Sequence, residues 1–213
     1  QWDCERLDEM LFRVFRAQAE RHLPTFRQAW AALTAIIFNP QTPGRSFKVG
    51  QQHYDIGDDL YQRMLDPRMI YSCAYWKEAQ TLNQAQEAKL DLVFRKLRLE
   101  PGMNVLDIGC GWGGAAHYAV ERYGVRVTGV TVSRNQAEAA IKRNKGLPVK
   151  ILLQDYRSLS GRFDRIYSLG MFEHVGFRNY RTYFETARRL LDSQGLFLLH
   201  SIGSNTSQEA NDP

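Results

Sequence analysis

Cysteine is scarce: the 213-residue chain has three, Cys4, Cys73 and Cys110. They show neither metal-ligand spacing nor a disulfide framework, and an odd, unframed count points to a reducing cytosol. Long apolar runs are missing too. No stretch approaches the ~20 residues that span a bilayer, and the charged opening QWDCERLDEM shows no signal peptide. That opening also lacks an initiator Met, which leads us to expect a processed or truncated chain. Long Lys/Arg runs and basic–aromatic stripes are lacking, which argues against nucleic acid as a partner. No internal repeat or low-complexity tract interrupts an ordinary globular composition, 44% hydrophobic and 24% charged. The charge leans basic, +5 net with a pI near 9.2. That suits an anionic partner such as a membrane surface, or simply a solvated basic face.

The chain is organised around residues 105–114, VLDIGCGWGG. An apolar β-type run, Val105 to Ile108, breaks into Gly109, Gly111, Gly113 and Gly114, and a helix-compatible run, Ala115 to Arg122, follows. Strand, glycine turn and helix make a nucleotide cradle. Glycines let a ligand approach the backbone closely, and the helix start offers unpaired N–H groups. Gly109, Gly111 and Gly114 formally match the dinucleotide fingerprint G-x-G-x-x-G. That site also wants an acid at the end of the next strand, and here the run Val125 to Val130 leads into Thr131, which disfavours NAD. Asp107 instead completes D-x-G-x-G-x-G, which resembles motif I of the class I S-adenosylmethionine-dependent methyltransferases. In that motif the glycine turn packs against the methionine part of the cofactor. Four glycines plus an acid favour this reading over a tight turn with no ligand.

Taken in order, Asp3 to His22 reads as an amphipathic helix, with Leu7, Met10, Leu11, Val14 and Phe15 at helical spacing. Its apolar face suits packing within its own domain, and its arginines suit anionic lipid. Pro24 interrupts, Thr25 to Phe38 reads as a second helix, and Asn39 to Gly44 is a breaker cluster and the linker. Residues 1–44 are therefore expected to be a helical segment closing an N-terminal domain, and 45–213 the cofactor-binding catalytic domain. A short helix ends before Asp66-Pro67. Met69 to Trp76 is aromatic and aperiodic and reads as an ordered loop. Thr81 caps a helix to about Leu97, with Leu82, Ala85, Ala88, Leu92, Val93 and Leu97 buried. Strands near Asn104–Ile108, Val125–Val130, Val149–Leu153, Asp164–Leu169 and Leu196–His200 then alternate with helices near Gly114–Tyr123, from Ser133 to Asn144, and Asn179–Leu191. This predicts an α/β fold with a doubly wound, mainly parallel sheet. Ligands sit beyond the carboxyl ends of such strands, where Gly109 to Gly113, Thr131, Asp155, Glu173 and His200 fall.

Six stretches, MIYSCAYW, VLDIGCGWGG, GVTVSRNQ, LLQDYR, GMFEHVG and FLLHSIGS, in this order and at this spacing, resemble the cyclopropane-fatty-acyl-phospholipid synthase family over essentially the whole chain. Plant and bacterial relatives that methylate small molecules share parts of the set. The resemblance implies a Rossmann-like class I methyltransferase fold, S-adenosylmethionine as cofactor, and methylene transfer to the cis double bond of unsaturated phospholipid acyl chains. It puts Asp107, Gly109, Cys110, Gly111 and Gly113 against the methionine part, with Tyr71 and Ser72 closing over it. Thr131 to Gln136 falls at the ribose, where the Gln136 amide could replace the usual acid, and Asp155 and Tyr156 meet the adenine. It further implies bicarbonate, held by Cys73, Glu173, His200 and the backbone of Ile202. No metal is implied. A lipid substrate implies a cytoplasmic enzyme peripherally attached to the inner face of the membrane, and a homodimer is compatible with this.

The implied chemistry accounts for the residue types. Methyl transfer to an alkene leaves a carbocation, so a base must take a proton from the new methyl to close the ring, and water must be kept out. Thiol, imidazole and backbone N–H groups can donate to bicarbonate. Glu173 beside an anion would be protonated or accept its hydroxyl proton; His174 next door is the alternative histidine. Tyr71, Tyr75, Trp76 and Phe172 are candidates for an aromatic-lined pocket that stabilises positive charge, though core packing accounts for each taken singly. A class I sheet normally has seven strands, and this chain stops after the fifth, whose apolar run Leu196 to Leu199 would be a poor edge. The last strands and much of the lipid pocket are therefore expected in a C-terminal part beyond Pro213. The competing readings are a methyltransferase acting on a small amine or hydroxyl, and a non-catalytic S-adenosylmethionine-binding fragment. Cys73, Glu173 and His200 together favour the first reading, since simple methyl transfer needs no carbocation base.

Overall fold

The computed structural model describes residues 6–16 and 58–203. The chain divides into two compact units, Gln1–Asn39 with Gln208–Pro213, and Pro40–Ser207. To the described residues the first unit contributes helix α1 (Leu7–Arg16). The two ends of the first expected helix, the second helix Thr25 to Phe38 and the linker Asn39 to Gly44 lie outside the described residues. In α1, Arg6 and Arg13 both pair with Glu9, at 3.1 and 2.5 Å, while Leu11, Phe12 and Val14 are exposed.

The second unit holds α2 (Asp58–Met64), α3 (Leu82–Lys96), β1 (Asn104–Ile108), α4 (Gly114–Tyr123), β2 (Arg126–Thr131), α5 (Arg134–Arg143), β3 (Val149–Leu153), β4 (Phe163–Leu169), α6 (Tyr180–Leu190) and β5 (Leu191–His200). The strands form one parallel sheet in the order β3-β2-β1-β4-β5. The order reverses at β1, which makes the sheet doubly wound as the alternation predicts. Parallel sheets are covered on both faces, so their central strands read as continuous apolar runs, and Val105 to Ile108 are all buried. The strand period of two then separates two cores. Val105 and Tyr167 pack with Leu90, Val93 and Phe94 of α3 and Ala116 and Ala119 of α4. Leu106, Ile108 and Ile166 pack with Tyr183 and Leu190 of α6.

Helix starts follow their caps. Thr81 Oγ1 accepts from the Gln84 N–H at 3.3 Å, and Gln84 Oε1 accepts from the Thr81 N–H at 3.2 Å, closing a capping box at α3. Ser133 accepts from the Gln136 N–H at 3.4 Å and starts α5. Two expectations need correction. The buried face of α3 is Ala85, Gln86, Lys89, Leu90, Val93 and Phe94; Leu82, Ala88 and Leu92 are only partly buried. Apolarity misjudged the helix rotation because two polar residues face inward, for reasons given below. β5 begins at Leu191, not Leu196: Leu191 pairs with Phe163, residues 192–195 bulge, and pairing resumes at Leu196 opposite Arg165. Among the described residues no helix is long and apolar enough to cross a membrane.

Candidate active site

A cleft opens at the carboxyl ends of β1, β2 and β4, where the switch in strand order leaves a crevice. Of the residues expected at the cofactor, Asp107, Gly109, Cys110 and Gly111 line it from the β1 turn. Thr131 and Gln136 line it from β2 and α5, Asp155 and Tyr156 from beyond β3, and Tyr71 and Ser72 from the preceding loop. Gly113 does not line it. Gly113 caps α4 at φ +76°, and a Cβ there would lie 2.6 Å from Asn144 Nδ2 and 2.9 Å from the Ala140 Cβ, so its smallness lets α4 pack on α5. Gly111 is the opposite case. At φ +52° it suits glycine, and a Cβ there would meet no atom within 4 Å, which leaves open cleft directly over the backbone.

At β2, Thr131 Oγ1 donates to Gln136 Oε1 at 3.0 Å and accepts from the Ser133 N–H at 3.2 Å. Thr131 thus orients Gln136 by its carbonyl oxygen and leaves the amide nitrogen as a donor. Beyond β3, Asp155 is clamped by Arg157, whose Nε and Nη2 donate to its two oxygens at 2.9 and 2.6 Å. Asp155 therefore holds Arg157 as well as lining the cleft, and Arg157 lines it too.

The loop over the cleft is fastened from two sides. Tyr71 meets Tyr61 of α2 edge-on at 5.4 Å, and Tyr61 rests on the buried Trp112 at 4.9 Å. From α3, Gln86 Nε2 donates to the carbonyls of Ile70 and Ser72 at 3.2 and 2.9 Å, and Lys89 Nζ donates to Ser72 Oγ at 2.8 Å. These bonds explain the inward polar face of α3. A Gln and a Lys three residues apart within an apolar stripe were the signal that pattern reading passed over.

Burial sets the electrostatics. Asp107, on the α3 side of β1, is pushed up to about 7 by desolvation, with Tyr167 and Lys89 acting the other way. Its Oδ2 is buried without a hydrogen-bond partner. Burial pulls Lys89 down to about 8 despite the negative potential of Asp66, Cys73 and Asp107. Burial likewise pushes the Cys110 thiol well up, so it stays protonated.

Cys73, Glu173, His200 and Ile202 lie outside the cleft lining; His174 lies within it. Glu173 and Ile202 meet directly: the Ile202 N–H donates to Glu173 Oε1 at 2.7 Å. That N–H is therefore engaged by the carboxylate in this arrangement. His200 ends β5 and is tied to the cleft wall through its carbonyl, which accepts from the Gly170 N–H at 3.0 Å. Its pKa is lowered by burial and by the Lys89 charge, with Glu173 opposing, and its Nδ1 is buried without a partner. Cys73 is exposed; its potential acts on Lys89, whose charge in turn lowers the His200 pKa. Of the expected aromatic lining, Tyr71 faces the cleft, Tyr75 and Trp76 are exposed, and Phe172 stacks on Tyr180 at 4.3 Å in the α6 layer.

Known proteins resemble this chain in sequence and fold. The family of mycolic acid cyclopropane synthetases matches residues 41–212. The cyclopropane-fatty-acyl-phospholipid synthase of Escherichia coli (strain K12) is 54% identical over all 213 residues, which cover 56% of its own length. The structure of the mycolic acid cyclopropane synthase CmaA1 complexed with SAH and CTAB superposes with a TM-score of 0.69 at 43% identity, over 72% of this chain and 55% of that one. Coclaurine N-methyltransferase bound to N-methylheliamine and SAH superposes with a TM-score of 0.72 at 27% identity, over 91% of this chain and 59% of that one. The chain thus spans about half the length of the relatives it matches. With a family match over most of its length and 54% identity to a relative over all of it, the chain belongs to the mycolic acid cyclopropane synthetase family.

Proposed function

We propose that the protein uses S-adenosylmethionine to add a methylene across cis double bonds of phospholipid acyl chains at a membrane surface. The fit of the cofactor is supported by the open space over Gly111, the unpartnered buried Oδ2 of Asp107 and the oriented amide of Gln136. Asp107, Gly109, Cys110 and Gly111 would hold its methionine part, Thr131 and Gln136 its ribose, and Asp155 and Tyr156 its adenine, with Tyr71 and Ser72 closing over it. When bound, it supplies an electrophilic methyl group. The SAH-bound relatives favour this choice.

The observation that carries the lipid reading is the meeting of Glu173 with the Ile202 N–H, beside His200 and outside the cofactor cleft. Simple methyl transfer needs no such group, whereas a carbocation needs a base. Cys73, Glu173 and His200 would hold a bicarbonate ion, which serves as that base. Glu173 uses Oε1 for Ile202, which leaves Oε2 to accept a hydroxyl proton. His200, kept neutral by burial and by Lys89, can donate from one ring nitrogen and accept at the other. Cys73, Glu173 and Ile202 are exposed among the described residues. Water must leave them before a cation forms, and the acyl chain laid over them is what would exclude it. A methyltransferase for small amines is the second reading, favoured by the likeness to coclaurine N-methyltransferase. Incubating the full-length protein and S-adenosylmethionine with unsaturated phospholipid vesicles, then weighing the acyl chains, separates the two. Chains that gain one CH₂ per double bond support the lipid reading; unaltered chains with methylated small amines overturn it.

A further inference from the structure

We infer that Lys89 is a positioning residue for the group at Cys73, Glu173 and His200, holding Ser72 in place and setting the positive potential in which a small planar oxyanion sits. This rests on the reading of that group given above.

Lys89 is 4% exposed on the inward face of α3. Lysine is almost never buried unless paired, because an uncompensated buried charge is costly. Among the described residues its ammonium forms no ion pair, and its hydrogen bond goes to the neutral Ser72 hydroxyl at 2.8 Å. The nearby carboxylates are committed elsewhere. Asp66 accepts the Ile70 and Arg68 N–H groups at 2.8 and 3.1 Å, and Asp107 is drawn toward its neutral form. The fold does not require the charge, because Gln86 already fastens Ile70 and Ser72 with two hydrogen bonds. A methionine would fill the same volume with no charge to bury. A cation at this position indicates a use for it, and an anion nearby would add to the partial compensation that Asp66 and Asp107 give.

The anion's position follows from what surrounds the ammonium. Lys89 does not line the cofactor cleft. Its charge interacts most with Asp66, then with Cys73 and Asp107, and it reaches His200, on which Glu173 acts with the opposite sign. His200 Nδ1 is buried and unpartnered there, available to an oxyanion. Ser72, which lines the cleft, stands in sequence between Tyr71 and Cys73, so the residue that Lys89 grips separates the two sites.

The test uses the full-length protein in buffer stripped of CO₂, with bicarbonate added back and lipid product measured. Calorimetry with S-adenosylhomocysteine reports cofactor affinity separately. Lys89→Met is expected to raise the half-saturating bicarbonate by at least about tenfold, the scale of one lost unit charge at short range, while S-adenosylhomocysteine affinity falls by much less, only as far as the lost bond to Ser72 loosens that residue. Lys89→Arg, which keeps the charge, is expected to recover part of the loss. If Lys89→Met does not fold, Lys89→Gln removes the charge with an amide left to reach Ser72 and is read the same way. An unchanged bicarbonate requirement overturns the inference. Cofactor affinity falling in step with activity also overturns it and assigns Lys89 to the cofactor carboxylate. A wild-type protein indifferent to bicarbonate sinks the underlying reading instead, and is recognised without any variant.

Discussion

Asp107 shows how burial decides the state of a single residue. Its folded pKa, about 7, lies far above the ordinary carboxyl value of 3.8 because it sits desolvated between β1 and α3. The folded state therefore binds more protons than the unfolded state between these values, and stability falls as pH rises from about 4 to about 7. Asp107→Asn lacks that dependence. Denaturant midpoints should favour wild type over Asp107→Asn more at pH 5 than at pH 8, by a few kcal/mol at most, since each pKa unit is worth about 1.4 kcal/mol. An equal difference at both pH values would show that Asp107 ionises freely. Asp107 was legible in the sequence because motif and strand agree on it. Lys89 was not: a lone lysine in a helix is ordinarily solvated, and only the fold reveals that this one points at Ser72. Arg157 was hidden likewise, since nothing in LLQDYR shows that its side chain turns back to clamp Asp155.

Elements were easier to read than their rotations. Strands β1 and β3 and helix α4 begin and end where apolar runs and glycines put them; central β1, buried on both faces, carries the unmistakable run, whereas edge strand β3 is only partly buried. β5 was read five residues short, since a bulge over Asp192 to Gly195 breaks the apolar pattern without ending the pairing. α3 was placed correctly by its cap but turned wrongly, because its inward polar residues serve the loop and not the core. The capping box is thus coupled to the site. Thr81→Ala should lower unfolding free energy by roughly 0.5–2 kcal/mol, the usual cost of such a cap. Hydrogen exchange should also quicken at Ile70 and Ser72, which α3 fastens. Loss of stability with no change at that loop would uncouple the two.

The whole chain carries a small positive excess, +5, and α1 adds nothing to it because Asp8 and Glu9 balance Arg13 and Arg16. If anionic lipid is the surface on which the protein works, attraction should be diffuse and weaken as salt shortens the screening length from about 10 Å at 0.1 M to about 3 Å at 1 M. Vesicle sedimentation should show binding that declines over this range and prefers anionic lipid; equal binding to neutral vesicles would remove the electrostatic part. In the proposed function, Glu173, held by the Ile202 N–H, would serve ring closure and not the cofactor. The most direct test of this role is Glu173→Gln in the full-length protein, with cyclopropane chains separated by gas chromatography from their methylated, uncyclised isomers of equal mass and S-adenosylhomocysteine affinity measured on the same preparation. Cyclopropane formation should fall by about 10²–10⁴, the usual loss for a misplaced proton acceptor, with cofactor affinity essentially unchanged and some chains methylated but uncyclised. Wild-type turnover, or cofactor affinity lost in step with activity, would contradict it.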